Sequence, residues 1–126
     1  MRTSLRRWRV RDGESGQVSL EFLGFLPILL ILGLAAIQLG IAAYTVSQAG
    51  TAARAAARTA SYEDPPTDPT AAGRAAISGW LASRADVRVT GGPEEATATT
   101  RVDIPSVIPG IGSFGTAERS ATMPRD

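Results

Sequence analysis

The chain has 126 residues and contains no cysteine, no histidine and no lysine. Without cysteine, no disulfide can staple a small domain and no thiolate can hold a metal. Without histidine, the commonest general base and the commonest metal ligand are both missing. Carboxylates remain as the only ordinary acid–base groups, and none is paired in a way that suggests catalysis. The inventory argues against an enzyme, a metal centre and a cofactor. All 13 basic residues are arginine, which we read as the coding bias of a GC-rich genome and not as a binding signature. Aromatic residues make up 6% of the chain, so any folded part must build its core from small aliphatic side chains.

Charge is also missing from one long stretch. From Phe22 to Tyr44 there is no Asp, Glu or Arg, and Gln38 is the only strongly polar side chain. About 20 apolar residues in a helix cross the hydrocarbon core of a bilayer. The stretch therefore reads as a membrane span. The net charge of +1 hides an uneven distribution. Residues 1–16 carry five arginines against two acids, and residues 17–126 carry eight against ten. A basic arm before a span stays in the cytoplasm by the positive-inside rule. The N-terminus is then cytoplasmic, the C-terminus extracytoplasmic, and the chain a single-pass protein of the cell membrane. The arm needs no nucleic acid to explain it. Arg6-Arg7 is followed by Trp8-Arg9-Val10, a poor fit to a twin-arginine export signal. A secretory signal with cleavage near Ala53-Arg54-Ala55 would need a far longer apolar region than such signals have.

Within the span, Pro27 removes one backbone donor and implies a mild kink. Gly24, Gly33, Ala36 and Gly40 are small, and Ala36-x-x-x-Gly40 is a spacing that lets helices approach closely. Beyond Tyr44 the helix is expected to continue. Ser47, Thr51, Arg54 and Arg58 fall on one face, and Ala49, Ala52, Ala53, Ala56, Ala57 and Ala60 cover the rest. Arg54 and Arg58 either line that polar face or sit at lipid headgroups. Asp64-Pro65-Pro66 stops the helix. A second helix is expected from Asp68-Pro69, an N-cap followed by Pro at the first position, to about Ser83. Gly73 and Gly79 weaken it, and Trp80 reads as a packing anchor.

From Asp86 the period becomes two. Val87 and Val89 precede a Gly91-Gly92-Pro93 turn, and Ala98, Thr100, Val102 and Ile104 follow it, which predicts a β-hairpin. Thr116 to Met123 supplies a third strand. Between them lies a Pro- and Gly-rich loop, Pro105 to Gly115, whose apolar residues either fold back on the sheet or rest on a partner or lipid. Its Gly110-x-Gly112-x-x-Gly115 matches a dinucleotide fingerprint in letters only, because no helix opens there. No small-molecule substrate is implied. The expected fold class is an α+β membrane protein: a long N-terminal transmembrane helix continuing outside the bilayer, then a short helix and a small antiparallel sheet of about three strands. The divisions are a basic cytoplasmic leader, 1–16, a transmembrane and extended helix, 17–61, and a small extracytoplasmic α+β region, 62–126.

The stretch Gly16-Gln17-Val18-Ser19-Leu20-Glu21-Phe22 resembles the processing site of type IV prepilins and pseudopilins. It has a short basic leader, a glycine, and a glutamate five positions later against an apolar run. With Pro27 six residues after Glu21 and Ala-Ala-Arg-Ala-Ala-Ala-Arg after the span, it is similar to the TadE-like family, small pseudopilins of the tight-adherence, or Flp-type, pilus machinery. The resemblance covers about residues 14–58. It implies cleavage after Gly16 by a membrane prepilin peptidase and a new N-terminus at Gln17, open to methylation. Many pilins carry Phe where this chain has Gln17. It further implies a charge-pairing role for Glu21 and helix packing through Pro27, Gly33, Ala36 and Gly40. The implied partners are the peptidase, the major pilin, sister pseudopilins, and the platform and ATPase of the apparatus, with the surface pilus as a destination. Gly13 fails as a cleavage site, since Val18 lies five residues beyond it. The alternative is an uncleaved single-pass anchor presenting a small extracytoplasmic interaction module.

Overall fold

A computed structural model describes the backbone of residues 2–125 and the side chains of residues 17–125. The order of elements is α1 (Arg2–Ala60), α2 (Pro69–Ala75), α3 (Gly79–Ala82), β1 (Ala85–Thr90), β2 (Glu95–Pro105) and β3 (Ser113–Pro124). The chain divides into two compact units, one up to Ala36 and one from Ile37. The first is helix alone. Its backbone is already helical at Arg2, so the turn formers Asp12 to Gly16 do not interrupt α1. A glycine inside a helix costs about 1 kcal/mol relative to alanine, which weakens a long helix without ending it. Side-chain expectations for the arm 1–16 lie outside the described residues.

The second unit is built on the C-terminal part of α1. Ala49, Ala52, Ala53, Ala56, Ala57 and Ala60 are buried, while Ser47, Arg54 and Arg58 are exposed. The polar face expected from their spacing is thus the exposed one. Helix α1 stops at Ala60, short of the prolines, with the Ser61 N–H still bonded to the Ala57 carbonyl at 2.9 Å. The sheet has the order β1-β2-β3, all antiparallel. Val87 pairs with Thr100 and Ala98 with Ala121. One cluster joins Ala49 and Ala52 to Ile77, Leu81, Ala85, Val102 and Ala117; another joins Ala56 and Ala57 to Val87 and Ala98. The core is methyl groups against a sheet, with Leu81 and Val102 as its largest fully buried side chains. Thr100 is also fully buried, and its Oγ1 has no hydrogen-bond partner among the described residues.

The opposite face of the sheet is a polar ladder across β2 and β3. Hydroxyls meet at Thr97–Thr122 and Thr99–Ser120, both 2.9 Å, and Arg101 pairs with Glu118 at 2.7 Å. Alternation of burial along β2 thus follows the period of two. In the β1–β2 turn Gly91 has φ +127°, and a Cβ there would collide with the Glu95 carbonyl. β3 starts at Ser113, three residues before the expected Thr116, and pairs down to Pro105, with an irregularity in register between Asp103 and Pro105.

The expected second helix is two short ones. Its break falls at Ile77-Ser78, where α1 intervenes. Gln48 Oε1 accepts the Ser78 N–H at 3.0 Å, and the Tyr44 and Ser78 hydroxyls are bonded at 2.6 Å. Those two bonds hold Ser78 extended, at ψ 136°, and a new helix starts after it. Asp68 is the N-cap residue of α2 with Pro69 after it, as its sequence predicts, but its carboxylate makes no capping bond to the backbone. It accepts from the Thr70 hydroxyl, which is the main reason its pKa lies below the usual carboxylate range. Trp80 is not in the core. It is 51% exposed and stacks on Tyr44 with ring centroids 6.0 Å apart.

Gly73 lets α2 cross α1 closely. A Cβ there would lie 3.0 Å from the Ala52 carbonyl oxygen, 3.2 Å from Ala56 Cβ and 3.3 Å from Val87 Cγ1. The first of these is backbone and cannot turn aside. Gly73→Ala gains about 1 kcal/mol of helix propensity but overpacks a rigid contact at about 1–3 kcal/mol, so it should destabilise on balance. At Gly79, where a Cβ meets nothing within 4 Å, Gly79→Ala should be neutral or stabilising. Thermal unfolding of the two variants in one detergent reads the contrast. Equal midpoints would show that the α1–α2 approach is not tight.

Candidate functional site

The residues singled out near the N-terminus lie on one helix. Gln17 and Glu21 are both exposed. Four residues apart, they share a face, about 6 Å apart along the axis. Helical side chains lean toward the N-terminus, so the Glu21 carboxylate leans toward the Gln17 backbone nitrogen. Among the described residues the ion pairs are Arg88–Asp86 at 3.0 Å and Arg101–Glu118 at 2.7 Å, and Glu21 belongs to neither. The Gly16 backbone is helical and runs without a break into Gln17 and Val18.

Beyond Glu21 the surface is apolar on every side. Five successive residues, Ile28 to Leu32, are all exposed, and together they cover a full turn. A helix apolar all round belongs inside a large core or in a membrane. The segment Gln17–Ala60 is long and apolar enough to cross a membrane, and none of its most apolar 18-residue window is buried. A core helix of a soluble protein would be covered. Pro27 lies inside α1. A Cβ on Gly33 or Gly40 would meet nothing within 4 Å, and Ala36 is exposed. Contacts within the chain therefore do not require these small residues.

Gln38 is legible in the sequence only as the polar exception in the run, and in the structure it organises a loop. It is 2% exposed. Its Nε2 donates to the Pro105 carbonyl at 3.0 Å, and its Oε1 accepts the Val107 N–H at 3.0 Å. One side-chain amide thus acts as a strand edge would, giving and taking one bond each. Two facts together point to it. A lone amide in an apolar run needs a backbone partner, and a loop flanked by Pro105 and Pro109 has no ladder to supply one. Sequence spacing alone does not bring positions 38 and 106 together.

Compared with known families, residues 16–58 match the model described as TadE-like protein. The likeness covers these 43 of the chain's 126 residues. The match opens at Gly16, includes Glu21 and Pro27, and closes at Arg58, where the alanine face is nearly complete. Curated proteins and solved structures give no match. The sheet, with its loop, lies outside the TadE-like segment but is held by it through Gln38 and the alanines.

Replacing the TadE-like segment's Gln38 in Gln38→Leu would leave the Pro105 carbonyl and the Val107 N–H unpartnered. Leaving a buried polar group unpaired costs about 1–3 kcal/mol. Amide hydrogen exchange in nanodiscs should speed up at Val107 while Val87 and Thr100 in the sheet keep their protection. Unaltered protection at Val107 would show that the loop is held by something else.

Proposed function

We propose that the protein is a TadE-like pseudopilin, a minor pilin of a tight-adherence pilus or its secretion apparatus. The reading rests on one observation: the TadE-like match begins at Gly16, and Glu21 follows it at the edge of an uncharged span. The chain inserts with its N-terminus in the cytoplasm and its sheet outside. A membrane prepilin peptidase cuts after Gly16 and leaves Gln17 as a free amine. A peptidase takes its substrate extended, so α1 must open at the cut. Gly13, Ser15 and Gly16 are poor helix formers and lower the cost of doing so.

The chemistry of assembly then follows from charge. A carboxylate at the bilayer centre costs about 2.5–3.5 kcal/mol on insertion scales. Before the cut, Glu21 reaches the cytoplasmic headgroups. After it, the Gln17 ammonium is drawn toward the same apolar boundary. Glu21 neutralises that amine in its own chain or in a neighbouring subunit. A wrong register leaves one charge unpaired, which makes the pair a device for selecting the right one. Gly33, Ala36 and Gly40 supply close helix contacts with the major pilin and sister pseudopilins, and the platform and ATPase drive the assembly. The protein itself performs no catalysis.

The N-terminus of protein extracted from membranes of its own host tests the reading. We expect a chain beginning at Gln17, and the leader retained in Gly16→Leu. A wild-type chain that keeps residues 1–16 where the peptidase is present would instead identify an uncleaved anchor. Glu21→Ala should be cut normally and assemble poorly. Normal assembly of that variant would remove the charge-pairing role.

A further inference from the structure

The loop between β2 and β3 is the largest feature that the proposed function does not use. From Ile104 to Gly115 the loop and the strand ends that frame it carry no charged residue and are rich in large apolar side chains. Ile111 and Phe114 are 43% and 49% exposed, and Val107 and Ile108 half-buried. Gln38 fixes where this loop lies, because its amide grips the backbone at both Pro105 and Val107. Counted from Phe22, the roughly 20 residues that cross the hydrocarbon end near Ile41. The clamp at Gln38 is therefore just inside the outer boundary of the hydrocarbon. Tyr44 and Trp80 lie stacked six residues farther on, about 9 Å along the helix, where the headgroups begin. Tyr and Trp favour that layer because their rings are apolar and their polar atoms reach water.

We infer that the second unit rests on the outer leaflet of the bilayer, with the Pro105–Phe114 segment, the loop and the strand ends beside it, in contact with lipid and the Tyr44–Trp80 stack at headgroup level. The inference needs Phe22–Tyr44 to span the membrane, but not the cleavage or the pilus. Two observations select lipid over a protein partner. The loop is tied to a stretch of α1 that is itself apolar, since exposed Ile37 and Leu39 flank Gln38. Part of its backbone is also provided for without water. Pro105 and Pro109 have no N–H to satisfy, the Val107 N–H goes to Gln38, the Ile108 N–H to Ser106 Oγ at 3.1 Å, and the Ile111 N–H to the Ile108 carbonyl at 3.2 Å. Each group satisfied in this way lowers the cost of resting at the edge of the hydrocarbon, which excludes irregular backbone with unpaired polar groups.

Tryptophan fluorescence of the full chain in phosphatidylcholine–phosphatidylglycerol vesicles tests the inference, using lipids brominated at shallow or deep acyl positions. Trp8 and Trp80 are the two tryptophans. Trp8→Phe isolates Trp80, and Phe114→Trp in a Trp8→Phe/Trp80→Phe background reports on the loop. Leu30→Trp in the same background reports on the span. Both outer probes should be blue-shifted and lose more emission to shallow than to deep bromine, while the span probe loses more to deep bromine. A quenched span probe with unquenched, water-like outer probes would overturn the leaflet contact and leave the span intact. Blue-shifted outer probes that bromine does not quench would overturn it in favour of a protein partner. An unquenched span probe would remove the membrane reading and this inference with it.

Discussion

Close approach between α1 and the sheet is the constraint on which the second unit depends. The buried face of the helix from Ala49 to Ala60 offers methyl groups and nothing larger. Each buried methylene-sized group contributes about 0.8 kcal/mol, so six alanines give far less than six leucines would. What they provide is nearness. The sheet answers with small inward residues, Ala85, Ala98, Thr100 and Ala117, and α2 answers with Gly73. A three-stranded sheet buries little by itself. Here its inner face is covered by the same helix that precedes it, and its outer face is a ladder of hydroxyls and one ion pair. The sheet is therefore a part built onto α1, and not a domain that α1 merely tethers.

How much of this can be read from the residues depends on how local the cause is. The long apolar helix, the alanine face, the hairpin turn at Gly91 and the start of α2 at Asp68-Pro69 follow from local composition, period and turn chemistry, and the structure has them where the sequence puts them. The break at Ser78 is not readable, because its cause is the pair Tyr44 and Gln48, thirty or more residues away. Trp80 is expected as a packing anchor, and it does pack, but flat on Tyr44 at the surface and not in the core. The loop left open between sheet, partner and lipid is tied back by Gln38, a contact across 67 to 69 residues. Of the candidate site, the Gly16–Glu21 spacing is legible because the pattern is local, and the TadE-like match begins at that same glycine.

Gln38 and Glu21 are the two polar groups that the uncharged run must accommodate at its ends, and the chain treats them differently. Gln38 is buried and has both an acceptor and a donor supplied by the loop, in a unit that provides partners at some distance in sequence. Even Thr45, buried one turn beyond Ile41, returns its hydroxyl to that residue's carbonyl at 2.7 Å. At the other end, Glu21 is exposed on a bare helix and belongs to neither ion pair found among the described residues. A neutral amide can be satisfied once and for all by a fold. A carboxylate at a membrane edge is tolerable beside headgroups, but deeper in the bilayer it needs a cation. The fold thus provides for Gln38 with its own loop, while Glu21 has no ion-pair partner among the described residues. Under the proposed cleavage, the new amine at Gln17 would lie one turn from Glu21 on the same face.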